Sequence, residues 1–144
     1  VVERPRLCEL HGGIVEGKPF RETFEANPQL KEVWDNHPQD FAPEGGEAMR
    51  DAYERIWAET MALARENQGK TIIASTHGGL MRLLHCRLFY HTIDRLVEVP
   101  WSENTAVTLV EFDNALTPTV VFFNDVSHLD DSLRTSFKTQ EANK

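Results

Sequence analysis

Apolar residues recur at helical spacing along much of the chain and predict a series of helices. The clearest predicted helix runs from Glu47 to about Asn67, with an apolar stripe at intervals of three and four residues that would face a core. The stripe consists of Met49, Tyr53, Ile56, Trp57, Met61 and Ala64. Two shorter helices are predicted over residues 20–26 and 30–36, and another over residues 79–90. The core-facing residues of that last helix would be Leu80, Leu83, Leu84 and Leu88.

Other stretches have the composition of strands. The apolar, β-branched run that begins at Thr71 predicts a strand buried on both faces of a parallel sheet. Residues 105–112 and 119–123 predict two further strands, and the short turn-rich link between them predicts a hairpin. The predicted fold class is α/β: a mostly parallel sheet with helices on both faces and an antiparallel edge strand.

Length and composition favour one ordinary globular domain over residues 1–144. Within it, residues 18–44 are interpreted as a helical side wall or lid insertion, and residues 130–144 as a polar tail. The net charge of −8 argues against nucleic acid or an anionic membrane as a partner. Cys8 and Cys86 show no metal-ligand or disulfide spacing, which favours a reducing, cytoplasmic location.

The junction at His77 has the features of an anion site. A strand ends there, and Gly78 and Gly79 begin the next helix, so backbone N–H groups and the positive end of the helix dipole would face a ligand. A titratable imidazole at this position suggests phosphate chemistry. The alternative is an ordinary strand–helix turn with a surface histidine. Arg82 would either support this site or extend towards solvent, and no histidine spacing indicates a metal site.

Several motifs together resemble those of the histidine phosphatase superfamily, which includes the phosphoglycerate mutases. The segment Ser75-Thr76-His77-Gly78-Gly79, followed by Arg82, resembles that family's second catalytic histidine motif. Further matches occur in the family's order over about residues 6–130: Leu7-Cys8-Glu9 with Gly13 and Glu16-Gly17, the loop 41–47, residues 104–108, and Asn124-Asp125 with His128-Leu129. The chain departs from the family pattern at Val15, Ala48 and Ala106.

The resemblance implies a phosphomonoester hydrolase that acts through a phosphohistidine on a small phosphorylated metabolite without a cofactor. It implies that His77 and the Gly78 N–H bind the phosphoryl group. It implies that Glu9 is the general acid that protonates the leaving oxygen and then activates water. His11 and His128 could lie near the pocket, and the alternative for each is an ordinary surface or cap histidine.

The family's nucleophilic Arg-His-Gly motif does not occur in the chain. We therefore expect the N-terminal βα units, roughly 60 to 70 residues, to lie upstream of Val1 in a longer protein. This piece alone would then be inactive and would expose an open sheet edge or apolar face, through which copies could associate. The alternatives are a phosphate-binding pseudoenzyme, a mutase-type phosphoryl transferase, and an interaction module that needs a second chain to complete its sheet.

Overall fold

The computed structural model describes residues 1–135 of the chain. It contains the helices α1 (Phe20–Ala26), α2 (Pro28–Asn36), α3 (Met49–Glu66) and α4 (Gly78–Tyr90), and the strands β1 (Val107–Phe112) and β2 (Pro118–Asp125). Short 3₁₀ segments lie at Pro5–Leu7, Gly13–Val15, Pro38–Asp40, Ile93–Glu98 and Asp131–Leu133. Of the predicted polar tail 130–144, residues 136–144 lie outside the described part.

Helices α3 and α4 pack together and form the centre of the core. The predicted leucine face of α4 is buried, and so are Met49, Tyr53 and Ile56 of α3. The rest of the α3 stripe, from Trp57 onwards, is only half-buried. Helix α3 begins at Met49 and not at Glu47, because the backbone of Ala48 is still extended. The buried faces of α3 and α4 therefore confirm the predicted helical periodicity, but α3 begins at Met49 and not at Glu47 as predicted.

An aromatic cluster joins α1 and α2 to the rest of the structure. Neighbouring rings in the cluster lie with centroids 4.8 to 6.1 Å apart. Its members are Phe20, Phe24, Trp34, Phe41 and Trp101. Aromatic pairs at such distances add to the energy of burial. The two short helices are thus fixed mainly by ring packing, and the interpretation of residues 18–44 as a lid insertion stays a prediction.

The strands β1 and β2 form the predicted antiparallel hairpin, with Val110 opposite Val120. Helix α4 contacts this hairpin through His85, whose Nε2 lies 3.0 Å from Thr108 Oγ1. The His85 ring also packs edge-on against Phe123, with centroids 5.6 Å apart. The hairpin is therefore tied to the helical core by the polar contact between His85 and Thr108 and by aromatic packing.

The prediction of a buried parallel strand after Thr71 is wrong for the described residues. Residues 71–76 belong to no strand, and the sheet formed within residues 1–135 is the antiparallel β1–β2 pair. Ile72 is 44% exposed and Ile73 is 98% exposed. A buried strand needs a hydrogen-bonded neighbour and covering layers on both faces. Within residues 1–135 this segment pairs with no strand, and residues 71–75 are exposed. Ile72 and Ile73 therefore leave apolar surface exposed in this segment, and the expectation of an open sheet edge or apolar face stays a prediction.

Candidate active site

His77 is the N-cap residue of α4. Its backbone is extended, with φ −120° and ψ 163°, and its carbonyl accepts the Met81 N–H at 2.9 Å to close the first helical turn. His77 and Gly78 are exposed, whereas Gly79 is buried. The first N–H groups of a helix have no acceptor within the helix, so the Gly78 N–H is available to a ligand. The helix start thus presents an imidazole and a backbone donor to solvent.

Glu9 reaches the same helix start from a distant part of the chain. The Gly79 N–H donates a hydrogen bond to Glu9 Oε2 at 3.1 Å, and the Leu10 N–H donates to Glu9 Oε1 at 3.0 Å. A carboxylate is stabilised at a helix N-terminus by the dipole and by the otherwise unsatisfied N–H groups. The structure therefore brings Glu9 to the second residue of the helix that His77 caps.

The two glycines of the helix start have different surroundings. A Cβ atom at position 79 would lie 2.7 Å from Glu9 Oε1 and 2.7 Å from Leu10 Cδ1, closer than real Cβ contacts. A Cβ atom at position 78 would meet nothing within 4 Å. Gly79 is therefore the position where the absence of a side chain admits the carboxylate, and the space in front of Gly78 is open.

Hydrogen bonds hold the segment around Glu9 in place. Thr76, next to His77, donates through Oγ1 to the Leu7 carbonyl at 2.7 Å. On the other side of Glu9, the Glu47 N–H donates to the His11 carbonyl at 2.8 Å. The sequence reasoning missed the role of Thr76, which its position inside the His77 motif could have suggested.

A tight approach of two loops supports this arrangement. Gly13 has a φ of +54°, and a Cβ atom there would lie 2.2 Å from the Glu44 carbonyl oxygen. The adjacent Ile14 N–H donates to that same carbonyl at 3.0 Å. The loop over residues 41–47 is therefore packed directly on the segment that follows Glu9.

The family model of the histidine phosphatase superfamily (branch 1) matches residues 1–126. The chain belongs to the histidine phosphatase superfamily. This confirms the resemblance drawn from the motifs at Glu9 and His77.

Three relatives show the range of this similarity. The chain is 25% identical over 129 residues to phosphoglycerate mutase-like protein 4 of Arabidopsis thaliana, covering 88% of this chain and 54% of that protein. It is 29% identical over 89 residues to a metal-independent phosphoserine phosphatase of the same plant, covering 61% of this chain and 37% of that protein. The solved structure of Bacillus stearothermophilus YhfR superposes with a TM-score of 0.82 at 29% identity, covering 89% of this chain and 63% of that one.

The chain matches only part of the length of each of these relatives. The chain spans about half or less of the length of the curated relatives it matches. Its α/β fold, with helices and a small two-stranded antiparallel sheet, is similar to the structure of YhfR over most of this chain.

Arg82 of this histidine phosphatase chain supports a neighbouring loop. Its Nε donates to the Val99 carbonyl at 2.9 Å and its Nη2 to the Leu96 carbonyl at 3.0 Å. Its guanidinium lies 4.8 Å from the centroid of the Trp101 ring, and burial lowers its pKa. A small cavity behind the helix start is lined by Leu10, Met49, Gly79, Arg82, Leu83, Leu96 and Trp101. Arg82 is thus held against the loop over residues 96–101 and does not extend towards solvent.

The remaining histidines are placed differently from His77. His11 is exposed, with its Nε2 4.0 Å from Glu16 Oε1, and His128 is exposed as well. His85 is buried in the core, and this burial lowers its pKa to about 4. Within residues 1–135, no three His, Cys, Asp or Glu side chains are grouped so as to hold a metal ion. No helix in that part of the chain is long and apolar enough to cross a membrane.

Proposed function

We propose that the protein carrying this chain hydrolyses phosphomonoesters of small metabolites through a phosphohistidine intermediate. The observation that carries the proposal is the hydrogen bond from the Gly79 N–H to Glu9, which places a carboxyl group at the helix start that His77 caps. An exposed imidazole at the N-cap, a backbone donor at Gly78 and a carboxyl group bound to the next residue of the helix are suited to phosphoryl transfer.

Each residue has a distinct role in this proposal. His77 and the Gly78 N–H donate hydrogen bonds to the phosphoryl oxygens and stabilise the charge that develops on them. The carboxyl group of Glu9 protonates the leaving oxygen as the bond from phosphorus to that oxygen breaks. The hydrogen bonds from the Gly79 N–H to Oε2 and from the Leu10 N–H to Oε1 keep the carboxyl group in its orientation.

The nucleophile is proposed to be a histidine in an Arg-His-Gly segment upstream of this chain. Its ring nitrogen forms a bond to phosphorus as the alcohol leaves. In the second step the Glu9 carboxylate takes a proton from water, the water oxygen attacks phosphorus, and the P–N bond breaks to release inorganic phosphate. Upstream arginines would complete the positive charge around the phosphate.

The same upstream part is proposed to complete the sheet. Ile72 and Ile73 are exposed and residues 71–76 lead directly into His77. A strand that pairs with this segment, and a layer that covers it, would bury these apolar side chains and build the mostly parallel sheet. Such pairing would also hold His77 at the end of a rigid strand.

The proposal extends to metal dependence and location. Histidine and arginine side chains supply the charge that a metal ion supplies in other phosphatases, and one relative is named a metal-independent phosphatase. Cys8 is a free exposed thiol and Cys86 a free buried one, which supports a reducing, cytoplasmic environment.

The test uses the protein with its native upstream sequence and a series of aryl and alkyl phosphates. We expect turnover in the presence of a chelator, and a strong loss of turnover in His77→Ala. His37→Ala, which alters another exposed histidine, is the control and should keep full turnover. Glu9→Gln should slow alkyl phosphates by about 10²- to 10⁴-fold and aryl phosphates far less, because only poor leaving groups need the proton.

Other outcomes would reject parts of the proposal. Loss of turnover on chelation, or an equal effect of Glu9→Gln on all leaving groups, contradicts the mechanism. Phosphate binding without turnover identifies a pseudoenzyme. The 144-residue chain alone should be inactive; if it turned over substrate like the longer protein, the nucleophile would have to lie within it.

A further inference from the structure

Arg55 of α3 binds the backbone on the N-terminal side of Glu9. Its Nη1 donates to the Arg6 carbonyl at 2.6 Å and to the Cys8 carbonyl at 3.0 Å. These carbonyls belong to the turn that leads into Glu9, and Cys8 is its immediate neighbour. Arg55 therefore fixes the position of the backbone that leads into Glu9.

The rest of the Arg55 guanidinium forms a two-pronged ion pair with Glu47. Nε donates to Glu47 Oε1 at 2.7 Å and Nη2 to Oε2 at 2.6 Å. The side chains are only 16% and 21% exposed, so solvent screens this pair less than the surface pairs of the chain. The hydrogen bond to Glu47 raises the pKa of Arg55, which stays charged.

Glu47 extends this connection to the C-terminal side of Glu9. Its backbone N–H donates to the His11 carbonyl at 2.8 Å. One ion-paired unit, Arg55 with Glu47, thus binds carbonyls on both sides of Glu9 and leaves the Glu9 side chain free to reach Gly79. Because the fork geometry of a guanidinium is needed to bind the carboxylate and the two carbonyls at once, lysine cannot reproduce these contacts.

We propose that Arg55 is a positioning residue for Glu9: through the Arg6 and Cys8 carbonyls and through Glu47, it holds the Glu9 carboxyl group at the Gly79 N–H. This inference rests on the proposed function in one respect, namely that the carboxyl group held there is the general acid. The hydrogen-bond geometry itself is independent of that function.

The first experiment follows the Glu9–Gly79 hydrogen bond directly by NMR, in the protein with its native upstream sequence. In the wild type, the Gly79 amide proton should change its shift as the carboxylates are protonated in acid, and Glu9→Gln should remove that change. Arg55→Lys should also remove most of it. The matched control is Arg50→Lys. Arg50 lies on the same helix and donates through Nε and Nη2 to Asp40 and not to the backbone beside Glu9. The Arg50→Lys variant should keep the full shift change of the Gly79 amide proton.

The second experiment measures turnover against leaving group. Arg55→Lys should slow alkyl phosphates by about 10- to 100-fold and aryl phosphates much less, since a misplaced acid loses its effect where the proton is needed. Arg50→Lys should stay within about twofold of the wild type for both, as expected of exposed surface pairs. Combining Glu9→Gln with Arg55→Lys should add little to Glu9→Gln alone, because both changes act through one carboxyl group.

The outcomes distinguish the positioning role of Arg55 from the proposed function of the protein. If Arg55→Lys leaves the Gly79 shift change intact, or slows all leaving groups equally while Glu9→Gln does not, the positioning role is wrong. If Glu9→Gln shows no leaving-group dependence, the proposed function fails, and loss of the Gly79 shift change in Arg55→Lys still supports the positioning role. If Arg55→Lys does not fold, Glu47→Gln is used instead, because it breaks the ion pair but keeps the backbone bond to His11. Glu47→Gln should weaken the shift change of the Gly79 amide proton. A shift change as large as that of the wild type overturns the inference.

Discussion

Gly78→Ala and Gly79→Ala, made one at a time at the start of α4, should change the free energy of unfolding in opposite directions. Gly79→Ala is the change that tests the contact with Glu9. The new methyl group would lie 2.7 Å from Glu9 Oε1 and 3.3 Å from Glu9 Cδ, so the carboxylate must move away from the Gly79 N–H. Losing a hydrogen bond to a charged group costs about 1.5–3 kcal/mol. Replacing glycine with alanine inside a helix stabilises the folded state by about 0.5–1 kcal/mol. The net expectation is a loss of about 0.5–2.5 kcal/mol in the free energy of unfolding.

Gly78→Ala is the matched control for this change. It makes the same chemical substitution one residue earlier, where a Cβ atom meets nothing within 4 Å. No contact is lost, so only the conformational term remains, and the free energy of unfolding should rise by at most about 1 kcal/mol.

The assay is urea unfolding of both variants and the wild type at neutral pH, combined with Glu9→Gln in each background. Gly79→Ala should lower the midpoint and Gly78→Ala should raise it or leave it unchanged. The Gly79→Ala cost should shrink in the Glu9→Gln background, because the charged acceptor is already gone. If both alanines stabilise the protein equally, the close approach of Glu9 to Gly79 is refuted.

Further predictions concern the core and the contacts beside the site. Burial lowers the pKa of His85 in the folded protein from 6.5 to about 4. As the pH falls, this histidine therefore takes up a proton in the unfolded chain before it does so in the folded one. The free energy of unfolding should then fall by about 3 kcal/mol between pH 6.5 and pH 4. Urea midpoints across this range should show that slope, and His85→Gln should flatten it. Thr76→Val should lose the hydrogen bond to the Leu7 carbonyl and about 1 kcal/mol in the same assay, whereas Thr76→Ser should not. Leu83→Ala, at a fully buried position, should cost about 2–5 kcal/mol; a loss below 1 kcal/mol would show that this core position is loosely packed.

The sequence by itself determined the features that depend on local periodicity. The stripes of α3 and α4 repeat at three and four residues, and both helices form close to the predicted bounds, with Leu80 and Ile56 buried. The hairpin of β1 and β2 follows from two β-rich runs with a short turn between them. The motif order also identified the family, because spacing along the chain is enough to match it. Such patterns are visible in sequence because each residue is compared only with neighbours a few positions away.

Tertiary structure decided everything that joins distant segments. The sequence predicted Glu9 and His77 as members of one site, but only the fold shows that Glu9 reaches the helix start by way of the Gly79 N–H. It also shows that Arg55 and Glu47 bind the backbone on both sides of Glu9. No spacing rule connects these residues, since the distances between them are set by how α3 and α4 pack.

The segment before His77 shows the reverse case. Its apolar, β-branched residues predict a buried strand, yet Ile73 is 98% exposed in the described structure. Composition states what a segment needs, namely a hydrogen-bonded neighbour and apolar cover, and it holds no information on whether another segment supplies them. Helical hydrogen bonds close within a few residues, whereas a strand is completed only by a partner from elsewhere, and that is why local pattern sufficed for α3 and α4 and failed for residues 71–76.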